Sequence, residues 1–184
     1  MFSTANHRYQ NDHIFYTINP TPLGRLLVAA TVRGVCLTEM SNDDDTMLTY
    51  LQKRFRHAIV VPNQANHPIQ SWTEQVSTYL GATTADWPVP LDVRGTEFQL
   101  AVWKHLMTIP TGSTTTYGAI AKALGRPKAS RAVGAAVGHN PIAIHIACHR
   151  VIGQNGTLTG FRWGLALKEH ILAREGALSK DRLL

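Results

Sequence analysis

Sulfur chemistry is sparse in this 184-residue sequence, which holds two cysteines, Cys36 and Cys148, and no Cys-x-x-Cys pair. Two thiols cannot build a disulfide framework, and without a close Cys/His quartet no structural zinc site, and no metal of any kind, is expected. Long apolar runs are missing as well: no stretch approaches the roughly 20 residues a helix needs to cross a bilayer. The opening residues, Met1-Phe2-Ser3-Thr4-Ala5-Asn6-His7-Arg8, lack the apolar core of a secretion signal. A cytoplasmic protein with no membrane partner is expected. Charge is modest, 16% of residues against 44% hydrophobic, a balance that excludes a disordered chain and leaves enough apolar material for a real core.

Acidic residues are scarcest in the second half. Residues 1–92 carry 6 Lys/Arg and 8 Asp/Glu, a net −2, whereas residues 93–184 carry 12 and 4, a net +8. A basic half joined to a mildly acidic one suggests that one half meets a polyanion, with ordinary charge scatter as the plainer alternative.

The first half reads as a small α/β unit. Ile14 to Ile18, Leu26 to Ala30 and Val35 to Thr38 are β-rich, and Asn19 to Gly24 is a turn cluster. Cys36 sits in one of these strands and reads as core packing. Asp43-Asp44-Asp45 can open a helix on which Met47, Leu48, Leu51 and Phe55 recur at helical spacing. Ile59 to Val61 is a short strand, Ile69 to Leu80 a second helix, and Gly81 to Pro90 loop-like. No constellation for chemistry is evident here.

In the second half, Thr96 can cap a helix over Glu97 to Met107, with Phe98, Ala101, Val102 and Leu106 on one side. Two short helices follow, Thr116 to Leu124 and Lys128 to Val137, separated by Gly125-Arg126-Pro127 and stopped by Gly138-His139-Asn140-Pro141. Such a pair in a basic half is a helix-turn-helix candidate. Ala129, Ser130, Ala132, Gly134, Ala135 and Ala136 make the second helix thin, with Lys128 and Arg131 its long side chains. It could press against a narrow groove and insert the arginine, or pack tightly in the core.

Ile142 to Gly156 is the most informative stretch. Ile142, Ile144 and Ile146 alternate, which predicts a half-buried strand running into Cys148-His149-Arg150. A cysteine attacks only as thiolate, a form that an adjacent imidazole or cation favours. The same cysteine could equally be a small buried hydrophobe. A last helix spans Leu165 to Glu175, with Ile171 and Leu172 as its apolar stripe. Glu175 falls on that stripe at the helix C-terminus, where a carboxylate opposes the dipole. A partner would resolve the conflict, and His149 is the natural one: a carboxylate on one ring nitrogen leaves the other as a base. Otherwise Glu175 is an exposed residue at a frayed end.

Ala147-Cys148-His149-Arg150-Val151-Ile152, followed by Asn155-Gly156-Thr157-Leu158-Thr159-Gly160, resembles the active-site signature of the O6-alkylguanine-DNA alkyltransferases. Phe98 to Gly125, Arg126 to Asn140 and Lys168 to Gly176 resemble the family's catalytic domain, and Thr21 to Gly24 with Arg33 to Cys36 its N-terminal domain. Arg162-Trp163-Gly164 most resembles the alkyltransferase domain of the Ada-type adaptive-response regulator, whose metal-binding thiolate domain is not expected with two cysteines. The resemblance implies an α+β protein: a flexible tail over 1–13, a ribonuclease H-like α/β domain over 14–92, a mostly helical catalytic and DNA-binding domain with a winged helix-turn-helix-like motif over 93–176, and a C-terminal tail over 177–184.

It also implies roles. Cys148 is the alkyl acceptor, His149 its base through a water, Glu175 the residue that orients His149, and Asn140 a brace for the cysteine loop. Tyr117 sits at the target base and Arg131 fills the gap left by the flipped nucleotide, on a DNA-binding face with Lys128, Ser130 and Ala132. Val151 and the loop Thr159, Gly160, Phe161, Arg162 and Trp163 wall the alkyl pocket. The implied reaction is a single irreversible transfer of an alkyl group from O6-alkylguanine, and from O4-alkylthymine as a further substrate, by a monomer that binds double-stranded DNA through the minor groove without a cofactor. Two positions depart from the family: Ala147 replaces the usual proline, and Trp163 stands where some relatives have glycine, which predicts a narrow pocket that prefers methyl. A Cys-His hydrolase would need an acyl substrate and an oxyanion hole instead. A DNA-binding relative without catalysis would lack the reactive cysteine.

Overall fold

The computed structural model describes residues 2–4, 9–64, 69–79 and 89–178. The chain divides into two compact units, Met1–Thr96 and Glu97–Leu184. Among the described residues no helix is long and apolar enough to cross a membrane.

In the first unit, β2 (His13–Thr21), β3 (Gly24–Thr31) and β4 (Gly34–Ser41) form an antiparallel meander, and β5 (Ile59–Pro62) adds to β2 in parallel, giving the order β4-β3-β2-β5. A separate two-stranded sheet pairs β1 (Phe2–Thr4) with β6 (Val93–Gly95). Helix α1 (Asp44–Arg54) begins as the acidic triplet predicts: Asp43 caps it by accepting the Asp45 N–H, and Asp44 and Asp45 face the positive end of the dipole. Its Met47 and Leu51 join Ile14, Leu27, Leu37 and the Cys36 thiol in one core, each large side chain contributing about 1.5–3 kcal/mol of burial. Helix α2 is Gln70–Tyr79.

Three expectations change here. Residues 1–13 are not a free tail where they are described. Phe2–Thr4 is a strand, the Tyr9 hydroxyl donates to the Asp92 carbonyl at 2.6 Å, and Asp12 pairs with Arg94 at 2.7 Å. The cause is Asp92, whose carboxylate is 2% exposed and must be paired. Thr31, Arg33 and Arg94 supply its hydrogen bonds, and the two arginines reach on to Asp12. The same network and the β1–β6 pairing carry residues 93–96 into the first unit, so the division falls after Thr96 rather than after Asp92. Strand β2 also runs on through Asn19-Pro20-Thr21, which leaves only Pro22 and Leu23 as the turn. Pro20 lies beyond the part of β2 that β5 covers, where a residue without an N–H is tolerated. The expected loop over 81–90 and tail over 177–184 lie mostly outside the described residues.

The second unit is helical. In α3 (Glu97–Met107), Leu100, Val102, Trp103 and Leu106 are buried, and the Trp103 indole donates to the Ala136 carbonyl at 2.8 Å. Phe98 and Ala101 are only half-buried, and the Arg126 guanidinium lies over the Phe98 ring. Helix α4 (Tyr117–Ala123) is capped by Thr116, whose hydroxyl accepts the Ala119 N–H, and is left through Gly125 in the left-handed region at φ 70°. Helix α5 (Ser130–Gly138) packs on α3 and α4, which completes the helix-turn-helix. Strand β7 (Thr115–Thr116), just before α4, pairs in parallel with β8 (Val151–Ile152), just after the cysteine. Helix α6 is Leu165–Arg174.

Candidate active site

The strand expected over Ile142 to Ala147 is a folded loop. Ile142 and Ile146 are both buried, but the Ile146 N–H donates back to the Ile142 carbonyl at 3.0 Å, and Ile144 sits in the left-handed region at φ 75°. Asn140 overrides the alternation. Its Oδ1 accepts the Ile142 N–H at 3.0 Å and its Nδ2 donates to the Ile146 carbonyl at 2.7 Å, so both ends of the segment are drawn onto one side chain. A β-branched residue at positive φ costs about 1–3 kcal/mol and persists only where its surroundings impose it. The Cys148 N–H bonds to the same Ile146 carbonyl at 2.6 Å. Ala147 has φ −66°, inside the range a proline would fix.

Cys148, His149 and Arg150 then form one turn of 3-10 helix leading into β8. Cys148 is 8% exposed. Burial pushes its thiol above the ordinary value, and Asn140, Arg162 and Lys168 pull the other way without overcoming it. Cys148 therefore rests as a thiol, the form a buried cysteine keeps, rather than the thiolate that an adjacent imidazole or cation would favour. Burial is the cause, and Arg150 does not offset it: its guanidinium turns to Glu175, with Nε on Oε2 at 2.9 Å and Nη2 on Oε1 at 2.7 Å.

Glu175 directly follows α6 and also takes the His149 Nε2 at 3.0 Å. Burial raises its carboxyl, but the bonds from His149 and Arg150 prevail and hold it at about 2. His149 is fully buried. Desolvation lowers its proton affinity, Glu175 restores part of it, and Arg150 and Lys168 lower it again. A neutral imidazole beside an ionised carboxylate presents its N–H to that carboxylate, so Nε2 carries the hydrogen and Nδ1 the lone pair. Nδ1 is buried and has no hydrogen-bond partner among the described residues.

Lys168 was not singled out from the sequence, yet it is fully buried in α6, and its Nζ donates to the carbonyls of Val151 at 2.6 Å and Thr159 at 2.7 Å. Desolvation lowers it to about 8. The signal was there: Lys168, Ile171, Leu172 and Glu175 share one face at i, i+3, i+4 and i+7. The lysine ties β8 to the loop that follows it.

Beside the Cys148 thiol lies a cavity of about 30 Å³ whose wall includes Val137, Gly138, Asn140 and Ala143 together with Gly160, Phe161, Arg162 and Trp163. Phe161 and Trp163 meet edge to face at 5.7 Å, and Arg162 donates to the Asn140 carbonyl at 3.2 Å. Val151 and Thr159 are not on this wall. Val151 is fully buried, and the Thr159 hydroxyl bonds to the Tyr117 hydroxyl at 3.0 Å. Tyr117 is half-buried, its ring against Gly134 of α5. On α5, Val133, Ala136 and Val137 are buried, while Arg131, Ala132 and Ala135 are exposed. The thin helix thus packs in the core on one side and offers a shallow face to solvent on the other. Lys128 is exposed and Ser130 half-buried beside it.

Residues 97–177 match the model of the 6-O-methylguanine DNA methyltransferase, DNA binding domain. The bifunctional transcriptional activator/DNA repair enzyme Ada of Escherichia coli is 41% identical over 169 residues, which cover 92% of this chain and 47% of that protein, so the chain spans about half of its length. The methylated-DNA–protein-cysteine methyltransferase of Methanosarcina acetivorans is 40% identical over 175 residues, 89% of this chain and 99% of that one. Among solved structures, Mycobacterium tuberculosis OGT in complex with DNA superposes with a TM-score of 0.69 at 36% identity, covering 90% of this chain and 93% of that one.

Proposed function

Because the chain belongs to the 6-O-methylguanine DNA methyltransferase family, we propose that it repairs DNA by moving the alkyl group of O6-alkylguanine onto Cys148, once per molecule. The observation that carries this reading is the Cys148 thiol on a small cavity, next in sequence to an imidazole whose second nitrogen is engaged by a carboxylate. An alkylated base inside a duplex cannot reach a buried thiol, so the nucleotide leaves the stack at a cost of roughly a few kcal/mol. The basic unit and the shallow face of α5 support DNA as the partner, and a relative of the same fold has been crystallised with DNA. In this reading α5 enters the minor groove, Lys128, Ser130 and Ala132 lie along it, and Arg131 takes the place of the extruded nucleotide.

The chemistry then follows from the resting protonation states. Sγ attacks the O6-bound carbon as its proton passes through a water to His149 Nδ1, and the bond between that carbon and O6 breaks. Guanine leaves with a proton supplied at the base, where Tyr117 is the donor. The products are a thioether at Cys148 and an unmodified guanine. Removing the alkyl group from a neutral thioether would require expelling a thiolate from an unactivated carbon, so the protein acts once. A cavity of about 30 Å³ favours methyl over bulky groups. The protein works as a monomer, with O4-alkylthymine as a further substrate. A reduced compartment, the cytoplasm at the nucleoid, suits a reaction that requires Cys148 as a free thiol.

Intact-mass measurement after incubation with a duplex containing O6-methylguanine tests the reading. The expected outcome is a gain of one methylene, lost in Cys148→Ser. Folded native protein without the adduct would refute it.

A further inference from the structure

Arg150 is a charged side chain of the site to which the reaction above gives no task. Its guanidinium is fixed by the end of α6 and the loop after α3. Besides the two bonds to Glu175, Nη1 donates to the Ile109 carbonyl at 2.5 Å and Nη2 to the Thr111 hydroxyl at 3.0 Å. It cannot reach these partners and also swing towards Cys148. It occupies both carboxylate oxygens of Glu175, and His149 shares only Oε1, at the longer distance of 3.0 Å.

In a simple histidine–carboxylate pair the whole negative charge acts on the ring and raises its proton affinity. Here a permanent, planar cation binds the carboxylate in a fork. We propose that Arg150 is a positioning residue, which neutralises Glu175 and aims its Oε1 at His149, so that His149 rests as a neutral Nε2–H imidazole with Nδ1 kept as the base. The role of that base rests on the transfer reading above, whereas the charge balance belongs to the resting protein alone. The groups that act on His149 are Glu175 and Lys168 from the α6 segment and Arg150 from its own turn, beside Cys148. Lys168 acts in the same direction as Arg150 but is held on the Val151 and Thr159 carbonyls, so a change at residue 150 leaves it in place. The arrangement separates two tasks that one carboxylate would otherwise combine. Glu175 can fix the tautomer of His149 without turning it into a resting imidazolium, which could not accept the Cys148 proton.

The test is a pH titration of the His149 ring in the nitrogen-15-labelled chain, read from long-range proton–nitrogen spectra that report both the tautomer and the midpoint. In the native protein the midpoint lies below the ordinary 6.5, and above it Nε2 carries the hydrogen. Arg150→Gln keeps a donor towards Glu175 but removes the charge, and the midpoint rises by about one pH unit, a tenfold change in proton affinity. Arg150→Lys keeps the charge, and the midpoint stays within ~0.3 of native. An unchanged midpoint in Arg150→Gln, an equal rise in both variants, or a native His149 that titrates above 6.5 or carries its hydrogen on Nδ1 would each overturn the proposal. Should Arg150→Gln not fold, the native titration and Arg150→Lys still decide. The measurement involves no DNA and no alkyl donor, so its outcome is independent of whether Cys148 accepts a methyl group.

Discussion

Replacing Glu175 by glutamine keeps the shape of the side chain and removes its charge, and the structure sets the size of the effect. The Glu175 carboxyl is held at about 2 against an ordinary 4.5. A depression of that size is worth about 3 kcal/mol at neutral pH through proton linkage. Bond counting reaches the same range. Three charge-assisted hydrogen bonds of about 1.5–3 kcal/mol each are offset by several kcal/mol for taking a carboxylate out of water. The sign follows from the direction of the shift. A depressed carboxyl contributes stability that is fully present above 4.5 and disappears as pH falls towards about 2. Glutamine should therefore cost about 2–3 kcal/mol at pH 7 and progressively less below pH 4.5. Its amide also turns a donor towards Arg150 or His149, which already present N–H groups to this position. Urea unfolding at a series of pH values, followed by tryptophan fluorescence, provides the assay, since Trp103 is buried in the same unit. A variant within ~0.5 kcal/mol of native at pH 7, or a deficit that does not shrink between pH 6 and pH 3, would refute the reasoning.

Asn140→Ala leaves the Ile142 N–H without its partner and the Ile146 carbonyl with the Cys148 N–H alone, and a loss of about 2–4 kcal/mol with slower methyl transfer is expected by denaturant titration and single-turnover kinetics. Because Ala147 already has φ −66°, Ala147→Pro should gain about 0.4–1 kcal/mol with transfer intact, and a destabilised variant would contradict that backbone reading. Arg131→Ala should weaken repair of duplex far more than transfer from a free small substrate, so equal losses would argue against a role in holding the base out. Free benzylated guanine should inhibit poorly, and Trp163→Gly should increase sensitivity to it. Sub-micromolar inactivation of the native chain would show the cavity to be wider in solution than its wall implies.

Much of the fold was legible where periodicity and capping agree. Asp43 and Thr116 start helices where their side chains can accept a backbone N–H, and Gly125 ends one where φ turns positive. What failed was alternation taken alone. Ile142, Ile144 and Ile146 alternate as a strand would, but among the described residues no strand pairs with them, and two hydrogen bonds to one asparagine side chain fold the segment into a loop. The N-terminal segment was misread for a related reason. A tail was expected there, whereas a buried aspartate distant in sequence draws in Tyr9 directly and Asp12 through Arg33. Pairings over such separations have no local signature.

The site was legible where a residue broke a local rule. Glu175 stands at the wrong end of a helix dipole, and that conflict alone pointed to a partner. The same logic, applied once more, would have found Lys168, a charged residue on the buried stripe of α6. Adjacency in sequence misled in the opposite direction. Arg150 follows His149 and almost touches Cys148 along the chain, which suggested a cation for a thiolate. In a 3-10 turn successive side chains point apart by about a third of a revolution, so three consecutive residues need not face one neighbour: Cys148 faces the cavity, His149 the Glu175 carboxylate, and Arg150 that carboxylate together with the loop after α3. The consequence is chemical. A buried cysteine whose neighbouring cation is engaged elsewhere stays protonated until its proton is removed in the act of attack. In the proposed single transfer that arrangement is an advantage, since a standing thiolate would be lost to whatever electrophile arrived first.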